Sequence, residues 1–206
     1  MPAPQNRNVI TLFQLKPTQI TVGILQVRHK QERLRELIRR PSELVDFILV
    51  HPIRVVLGPA QKVYVIDHHH LALALIREKF ETAPMDVDAD FSKLSLPQFW
   101  KKMQAAQLVH PYDANGLLRP ISFIPKDLRD LQDDPYRSLA GFAREAGAFN
   151  KVPTPFAEFL WADYFRLYIH PKLVKNDFHK ALKHAMKLAR NPLASHLPGY
   201  KGKAGK

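Results

Sequence analysis

The spacing of apolar residues predicts a chain of short strands and amphipathic helices. Runs rich in β-branched and aromatic residues predict strands, whereas apolar residues three or four positions apart predict helices. Strands are predicted at 9–15, 53–57, 63–66 and 121–124. Helices are predicted at 31–40, after Ser42, at 71–80, after Pro97, at 135–146, at 156–169 and from Asn176 or Asp177 to about 190. The fold class is therefore α+β, with a mostly helical C-terminal part.

One junction carries most of the ionisable side chains that could do chemistry. The strand Val63–Ile66 breaks at Asp67, and three histidines, His68, His69 and His70, precede an apolar helical pattern that starts at Leu71. The first N–H groups of a helix lack intrahelical partners and carry partial positive charge, so they can hold an anion. The sequence therefore predicts an anion or nucleotide site at this turn.

Two interpretations of this turn remain open. In the functional one, an imidazole donates to a phosphate or shuttles a proton, with Asp67, His69 and His70 as catalytic candidates. Asp67 would orient an imidazole or help to hold a phosphate-bound metal ion. In the other, Asp67 caps the helix and the imidazoles face solvent. Consecutive residues point in different directions, so at most two of the histidines can face one ligand.

A direct metal site is a third interpretation. Neutral imidazoles suit zinc, nickel or copper, and His29 or His51 could complete a set with Asp67. A nuclease with a metal–carboxylate cluster would need several converging acids. The run 82–90, which contains Asp86, Asp88 and Asp90, is predicted instead to be a solvated acidic connector, in which Val87 and Phe91 could mark a short strand.

The order of these segments resembles the ParB/sulfiredoxin domain. The resemblance runs over about residues 9–80: a strand, Arg28, a helix, the strand His51-Pro52-Ile53-Arg54-Val55, a turn, and Tyr64-Val65-Ile66-Asp67-His68-His69-His70 before a helix. Two later runs, Asp134-Pro135-Tyr136-Arg137-Ser138-Leu139 and Pro155-Phe156-Ala157-Glu158-Phe159-Leu160-Trp161, resemble the ParB-like nuclease branch. They extend the similarity to nearly the whole chain.

The resemblance implies a nucleotide whose phosphates lie against the strand-to-helix turn. Branches of this superfamily bind CTP or ATP or phosphorylate free serine, so ATP, ADP or CTP, with Mg²⁺, is the expected ligand, and neither haem nor an iron–sulfur cluster is expected. The candidate ligand-binding residues, from the resemblance and from their charge, are Arg28, Lys30, His68, His69, Leu71 and Arg137. Two positions depart from the family motif: His68 replaces its glycine and His70 replaces its arginine. Sulfiredoxin chemistry is excluded because the chain has no cysteine.

This resemblance predicts a ParB/sulfiredoxin-like domain over 9–95, a small mixed sheet with helices. A helical part would follow over 96–192, and a disordered basic tail over 193–206. The net charge of +12 is concentrated at the C-terminus: residues 171–206 contain nine Lys or Arg and one acid, which gives +8 and leaves +4 for the rest. A nucleic acid would therefore bind through 171–206. The alternative is a solvated helix face followed by a flexible tail.

The functional expectation is a ParB-like protein that binds a nucleotide or a phosphorylated small molecule. A phosphotransferase or nucleotide hydrolase is the favoured enzyme class, and a DNA-binding protein or a metal-dependent nuclease is the alternative. No signal peptide and no apolar stretch long enough to span a bilayer is visible, so a cytoplasmic protein without a membrane partner is expected. The oligomeric state is not predicted.

Overall fold

The computed structural model describes residues 8–202, which fold into two compact units. Within this range the first unit comprises residues 8–21, 27–113 and 117–132; the second comprises 22–26, 114–116 and 133–202. The α+β class is confirmed by a five-stranded mixed sheet and eight α-helices within the described residues. Helix α4, which the sequence analysis assigned to the helical C-terminal part, lies in the first unit.

The sheet of the first unit has the strand order β1-β6-β4-β5-β2. Pairing is antiparallel for β1 with β6 and for β4 with β5, and parallel for β4 with β6 and for β2 with β5. Two further strands, β3 and β7, form a separate pair. The strands are β1 Val9–Thr11, β2 Leu15–Lys16, β3 Thr21–Val22, β4 Ile53–Leu57, β5 Val63–Asp67, β6 Thr82–Asp90 and β7 Gln132–Asp133.

Helix α3 follows β5 directly and is the most important helix for the candidate site. Its residues His69 and Leu71–Ile76 are all buried, and it packs against β4 and against the short 3₁₀ turns Leu12–Gln14 and Leu128–Asp130. The helices are α1 Ile24–Ile38, α2 Pro41–Val50, α3 His69–Arg77, α4 Leu96–Ala105, α5 Pro135–Glu145, α6 Ala157–Tyr168, α7 Pro171–Asn176 and α8 Phe178–Leu188. Burial on nearly every side fixes the position of the first turn of α3 relative to the sheet.

The second unit is a helical bundle with an aromatic core. Helix α5 packs against α6 and α8, and the rings of Phe149 and Trp161 stack with centroids 4.2 Å apart. Helix α5 ends at Glu145, and Gly147, just beyond its C-cap, has a φ of +78° and donates its N–H to Arg144 O. The aromatic residues of α6 are mostly buried in this core, although Tyr168 remains half exposed.

Several predicted elements differ from the structure. The acidic connector at 82–90 is strand β6, because β1 and β4 pair with it on both sides and override its low β-propensity. The predicted strand 121–124 is a 3₁₀ turn. The predicted strand 9–15 is interrupted after three residues by another 3₁₀ turn.

Helix α1 begins at Ile24, seven residues before the predicted start at Gln31. Asp133 Oδ1 accepts a hydrogen bond from Ile24 N (2.9 Å), and Ser138 Oγ accepts one from Leu25 N (3.2 Å). These acceptors come from the second half of the chain, so the local sequence before Arg28 shows no cap. Arg28 and Lys30 consequently lie within the helix, whereas the predicted helix would begin after them.

The segment that follows α8 is folded. Ala194 and Leu197 are buried against the bundle, and Trp161 Nε1 donates to Pro198 O (2.8 Å). The prediction of disorder from 193 is therefore wrong up to residue 202, because apolar burial anchors this segment. The rest of the predicted tail, 203–206, lies outside the described residues. Within 8–202, no helix is both long and apolar enough to cross a membrane.

Candidate functional site

The turn between β5 and α3 has an unusual backbone. His68 is the N-cap of α3 and adopts the left-handed conformation, with φ 68° and ψ 24°. Asp67 Oδ1 accepts a hydrogen bond from His68 N (2.7 Å), and the first helical bond runs from Ala72 N to His68 O (2.9 Å). No side chain caps the helix. The conformation is the one that glycine adopts most easily, so the residue retains the backbone that the family motif's glycine would provide.

The imidazole of His68 is held by one nitrogen. Its Nδ1 donates to the carbonyl oxygen of Pro52 (2.8 Å), whereas its Nε2 has no hydrogen-bond partner among residues 8–202. Burial lowers the pKa of His68, and the charges of His51 and Lys30 lower it further, against the opposing effects of Asp67 and the Pro52 bond. The neutral ring therefore offers a lone pair at Nε2, and the protonated ring offers a donor there.

Two more basic groups lie beside this ring. The ring of His51 is 6.1 Å from that of His68 and 4.5 Å from that of Phe47, and its Nδ1 donates to Phe47 O (2.7 Å). Lys30, on α1, is close enough for its charge to affect the pKa of His68. His51 and Lys30, from separate elements of the first unit, thus lie near the His68 imidazole.

His69 occupies a different environment. Its side chain is 3% exposed, and its Nε2 lies 3.4 Å from both the backbone nitrogen and the hydroxyl of Thr18. The Thr18 hydroxyl in turn donates to Val65 O (2.6 Å). This position fixes α3 to the chain that follows β2. The catalytic role expected of His69 stays a prediction, and its burial makes His68 the better candidate for ligand contact.

The remaining predicted residues are distributed as follows. His70 is half-buried in the first turn of α3, and Leu71 is 3% exposed, so only its backbone N–H could serve a ligand. Arg28 is exposed on α1 and, two residues before Lys30, lies on a different side of that helix. Arg137 belongs to the second unit, where its Nη1 donates to Gln26 Oε1 (2.8 Å) and its guanidinium lies 5.1 Å over the ring of Phe159.

Acidic residues that were predicted to lie in separate segments are neighbours on the sheet. Arg54 on β4 pairs in register with Asp86 on β6 and Asp67 on β5, and it forms a bidentate ion pair with Asp88. The contact with Asp88 raises the pKa of Arg54 most, and the charges of Asp67 and Asp86 raise it further. The sequence would have predicted this cluster only if residues 82–90 had been recognised as a strand paired with β4. Within the described residues no three His, Asp or Glu side chains are arranged to hold a metal ion, so the expected set of Asp67 with His29 or His51 is not assembled.

Comparisons with known proteins show what this chain is similar to. The crystal structure of protein Atu1540 from Agrobacterium tumefaciens is similar to this chain, with a TM-score of 0.87 and 42% sequence identity over 97% of this chain and 100% of the other. The search of curated proteins gave no match. A family model described as "Putative ParB-like nuclease" matches residues 8–167, which include the β5–α3 turn and α5. The chain therefore belongs to the ParB-like nuclease family.

Proposed function

We propose that this protein binds a phosphate-bearing small molecule, most suitably a nucleotide, at the turn between β5 and α3. The observation that carries the proposal is the state of His68: its Nδ1 is fixed by Pro52 O, and its Nε2 has no partner among residues 8–202. It stands at a helix start that no side chain caps. An anion there would meet backbone N–H groups and the positive end of the helix dipole.

The surrounding charges support an anionic ligand. Lys30 and His51 add positive or protonatable groups, and an anion would stabilise the protonated form of His68, which burial otherwise disfavours. In that form Nε2 donates to a phosphate oxygen. When neutral, the same nitrogen can accept a proton from a hydroxyl group, as a phosphoryl acceptor would require. Phosphotransfer or nucleotide hydrolysis is the reaction class that this arrangement would support.

The test is titration calorimetry with ATP, ADP, CTP, GTP and inorganic phosphate, with and without Mg²⁺, on wild type and His68→Gly. Glycine accepts the left-handed backbone, so the variant keeps the turn while losing the imidazole. Lys79→Gly is the matched control, because Lys79 is exposed and has a φ of 65° at the other end of α3.

We expect wild type to bind at least one nucleotide. Loss of a charge-assisted hydrogen bond, about 1.5–3 kcal/mol, should weaken binding by about 10- to 100-fold in His68→Gly. The control should bind like wild type. The affinity advantage of wild type over His68→Gly should shrink as the pH rises, because the protonated donor is lost. Equal affinities for wild type and His68→Gly, or no binding by wild type, would refute the proposal.

A second candidate, metal-dependent phosphodiester cleavage, is favoured by the family description and by the carboxylates around Arg54. Asp67, Asp86 and Asp88 are not arranged to hold a metal ion in this structure, and Asp88 already forms an ion pair with Arg54, so this candidate requires the three carboxylates to rearrange around the ion. Cleavage of a DNA substrate that requires Mg²⁺ or Mn²⁺, stops with chelator and is lost in Asp67→Asn would support this candidate over simple nucleotide binding.

A further inference from the structure

The second unit exposes a cluster of large apolar side chains on α6 and on the segment that follows α8. Four of these side chains, here called the α6 apolar face, are between 43% and 79% exposed. They are Leu160, Leu167, Tyr168 and Leu193. All four line the same groove, so they form one patch and are not scattered singly. A gathered apolar patch of this kind is typical of a surface that another molecule covers.

The groove has the dimensions of a site for side chains of a partner helix. Leu160 and Leu167 are seven residues apart on α6, about 10 Å along the helix axis. Leu193, in the short 3₁₀ turn Pro192–Ala194, contributes the other wall. The groove encloses about 280 Å³, which is below the range of about 300–1,000 Å³ usual for small-molecule sites. A helix with apolar residues at intervals of three, four and seven would match the two-turn spacing along α6.

The groove also contains an acid whose charge is only partly compensated. Arg166 forms ion pairs with both Asp134 and Asp163, and among residues 8–202 neither acid has another ion-pair partner. One guanidinium therefore serves two carboxylates. The side chain of Asp134 is buried, whereas that of Asp163 is 47% exposed and lines the groove.

A second cation beside Asp163 would be electrostatically favourable. Burial raises the pKa of Asp163, and the charge of Arg166 opposes that rise without cancelling it. A further positive charge would stabilise the ionised carboxylate. The rings of Tyr164 and Tyr168, with centroids 4.9 Å apart, line the same groove and add aromatic surface that suits a neighbouring cation.

We propose that the α6 apolar face binds an amphipathic helix of a partner protein that carries a lysine or arginine beside its apolar side chains. The apolar side chains enter the groove between α6 and the turn Pro192–Ala194, and the cation pairs with Asp163. A second copy of this chain fits less well. In a two-fold antiparallel pairing of α6 that sets Leu160 against Leu167, the two Asp163 side chains come together near the axis and repel each other.

The test measures fluorescence anisotropy of two labelled peptides of about 18 residues, long enough to form a helix, with the full chain. Both peptides carry leucines at helical spacing along one face. One has a lysine beside that face, and the other has glutamine at the same position. The variant Leu167→Ser/Leu193→Ser is compared with Leu117→Ser/Leu118→Ser, which removes two leucines of similar exposure, 54% and 65%, from the first unit.

A third variant, Asp163→Asn, isolates the charge. Because it also removes the pair with Arg166, the glutamine peptide reports whether the groove itself is intact. Circular dichroism and thermal unfolding verify that all variants are folded, and light scattering gives their oligomeric state.

Wild type should bind the lysine peptide about fivefold more tightly than the glutamine peptide, as expected of a partly exposed ion pair. Leu167→Ser/Leu193→Ser should weaken both peptides by about tenfold or more, because apolar area is lost from the contact. The first-unit control should bind like wild type, and Asp163→Asn should bind the two peptides equally.

Four outcomes overturn the proposal. Wild type binds neither peptide, the two leucine variants bind alike, or Asp163→Asn keeps the preference for lysine. The fourth is a dimer of wild type that Leu167→Ser/Leu193→Ser dissociates, which would assign the face to a second copy of the chain.

Discussion

Replacing Arg166 by methionine should destabilise the helical unit through an acid that it leaves buried. Arg166 Nη2 donates to Asp134 Oδ2 (2.8 Å), and the side chains are 17% and 2% exposed. Asp134 also caps α5, because its Oδ1 accepts from Tyr136 N (2.9 Å) and Arg137 N (3.2 Å). In the variant this carboxyl group would remain buried without a charged partner.

The cost follows from what remains around the carboxyl group. Breaking a buried pair by removing one partner typically costs about 3–5 kcal/mol. The two backbone hydrogen bonds to Asp134 survive, which places the expected loss near the lower end, about 3 kcal/mol. The methionine side chain retains much of the packing of Arg166 over the ring of Tyr136 (5.1 Å), so little of the loss should come from a cavity.

Urea unfolding measures the free energy directly, and a double variant isolates the buried charge. In Arg166→Met/Asp134→Asn the asparagine still caps α5 but needs no charged partner, so at least half of the loss should be recovered. Arg33→Met is the control for an exposed pair, since Arg33 and Glu36 are 51% and 62% exposed; it should cost less than about 1 kcal/mol.

The pH dependence gives an independent check. Burial raises the pKa of Asp134, and the charge of Arg166 opposes that rise. Without Arg166 the pKa of Asp134 in the folded state rises further, so the fold favours the protonated acid and loses stability as the pH increases through that pKa. The deficit of Arg166→Met relative to wild type should therefore be larger at pH 7 than at pH 4.5. A deficit of Arg166→Met below about 1 kcal/mol at pH 7 would refute this reasoning. So would a loss in the double variant as large as that in Arg166→Met.

Two further predictions concern local backbone conformation and histidine ionisation. Lys79 and Gly147 adopt left-handed conformations just after α3 and α5. Because glycine adopts this conformation most easily, Lys79→Gly should stabilise the protein and Gly147→Ala should destabilise it, each by about 1 kcal/mol in chemical denaturation. Effects of the same sign would contradict this prediction. Because the pKa of His68 is lowered in the folded state from its ordinary 6.5, the free energy of unfolding should fall as the pH decreases below 6.5, and this part of the decrease should be missing in His68→Gly. Identical pH profiles would show that His68 does not titrate as its burial requires.

Elements with local signals were predicted well. The strand Ile53–Leu57 matches its prediction, and β5 extends one residue further, to Asp67. Asp177, one of the two residues predicted to begin the last long helix, is its cap. In each case the information lies within a few residues: β-branched runs for the strands and a capping side chain for the helix.

Elements that depend on distant partners were missed. The start of α1 needs Asp133 and Ser138, and β6 needs strands on both sides. The candidate site also has parts with a local signal and parts that depend on distant residues. The turn at 67–70 was visible in the sequence, whereas the burial of His69 against Thr18 and the bond from His68 to Pro52 O depend on chain segments 16 or more residues away.

The central claim is that a phosphate lies at the first turn of α3. Backbone amide NMR of the full chain, titrated with the tightest nucleotide from the calorimetric panel or with inorganic phosphate, tests it most directly. The claim predicts that the largest shifts occur at the amides of His69, His70 and Leu71, with a shift of the His68 Nε2 resonance. Largest shifts confined to α7 and α8, or none at the start of α3 under saturating ligand, would contradict it.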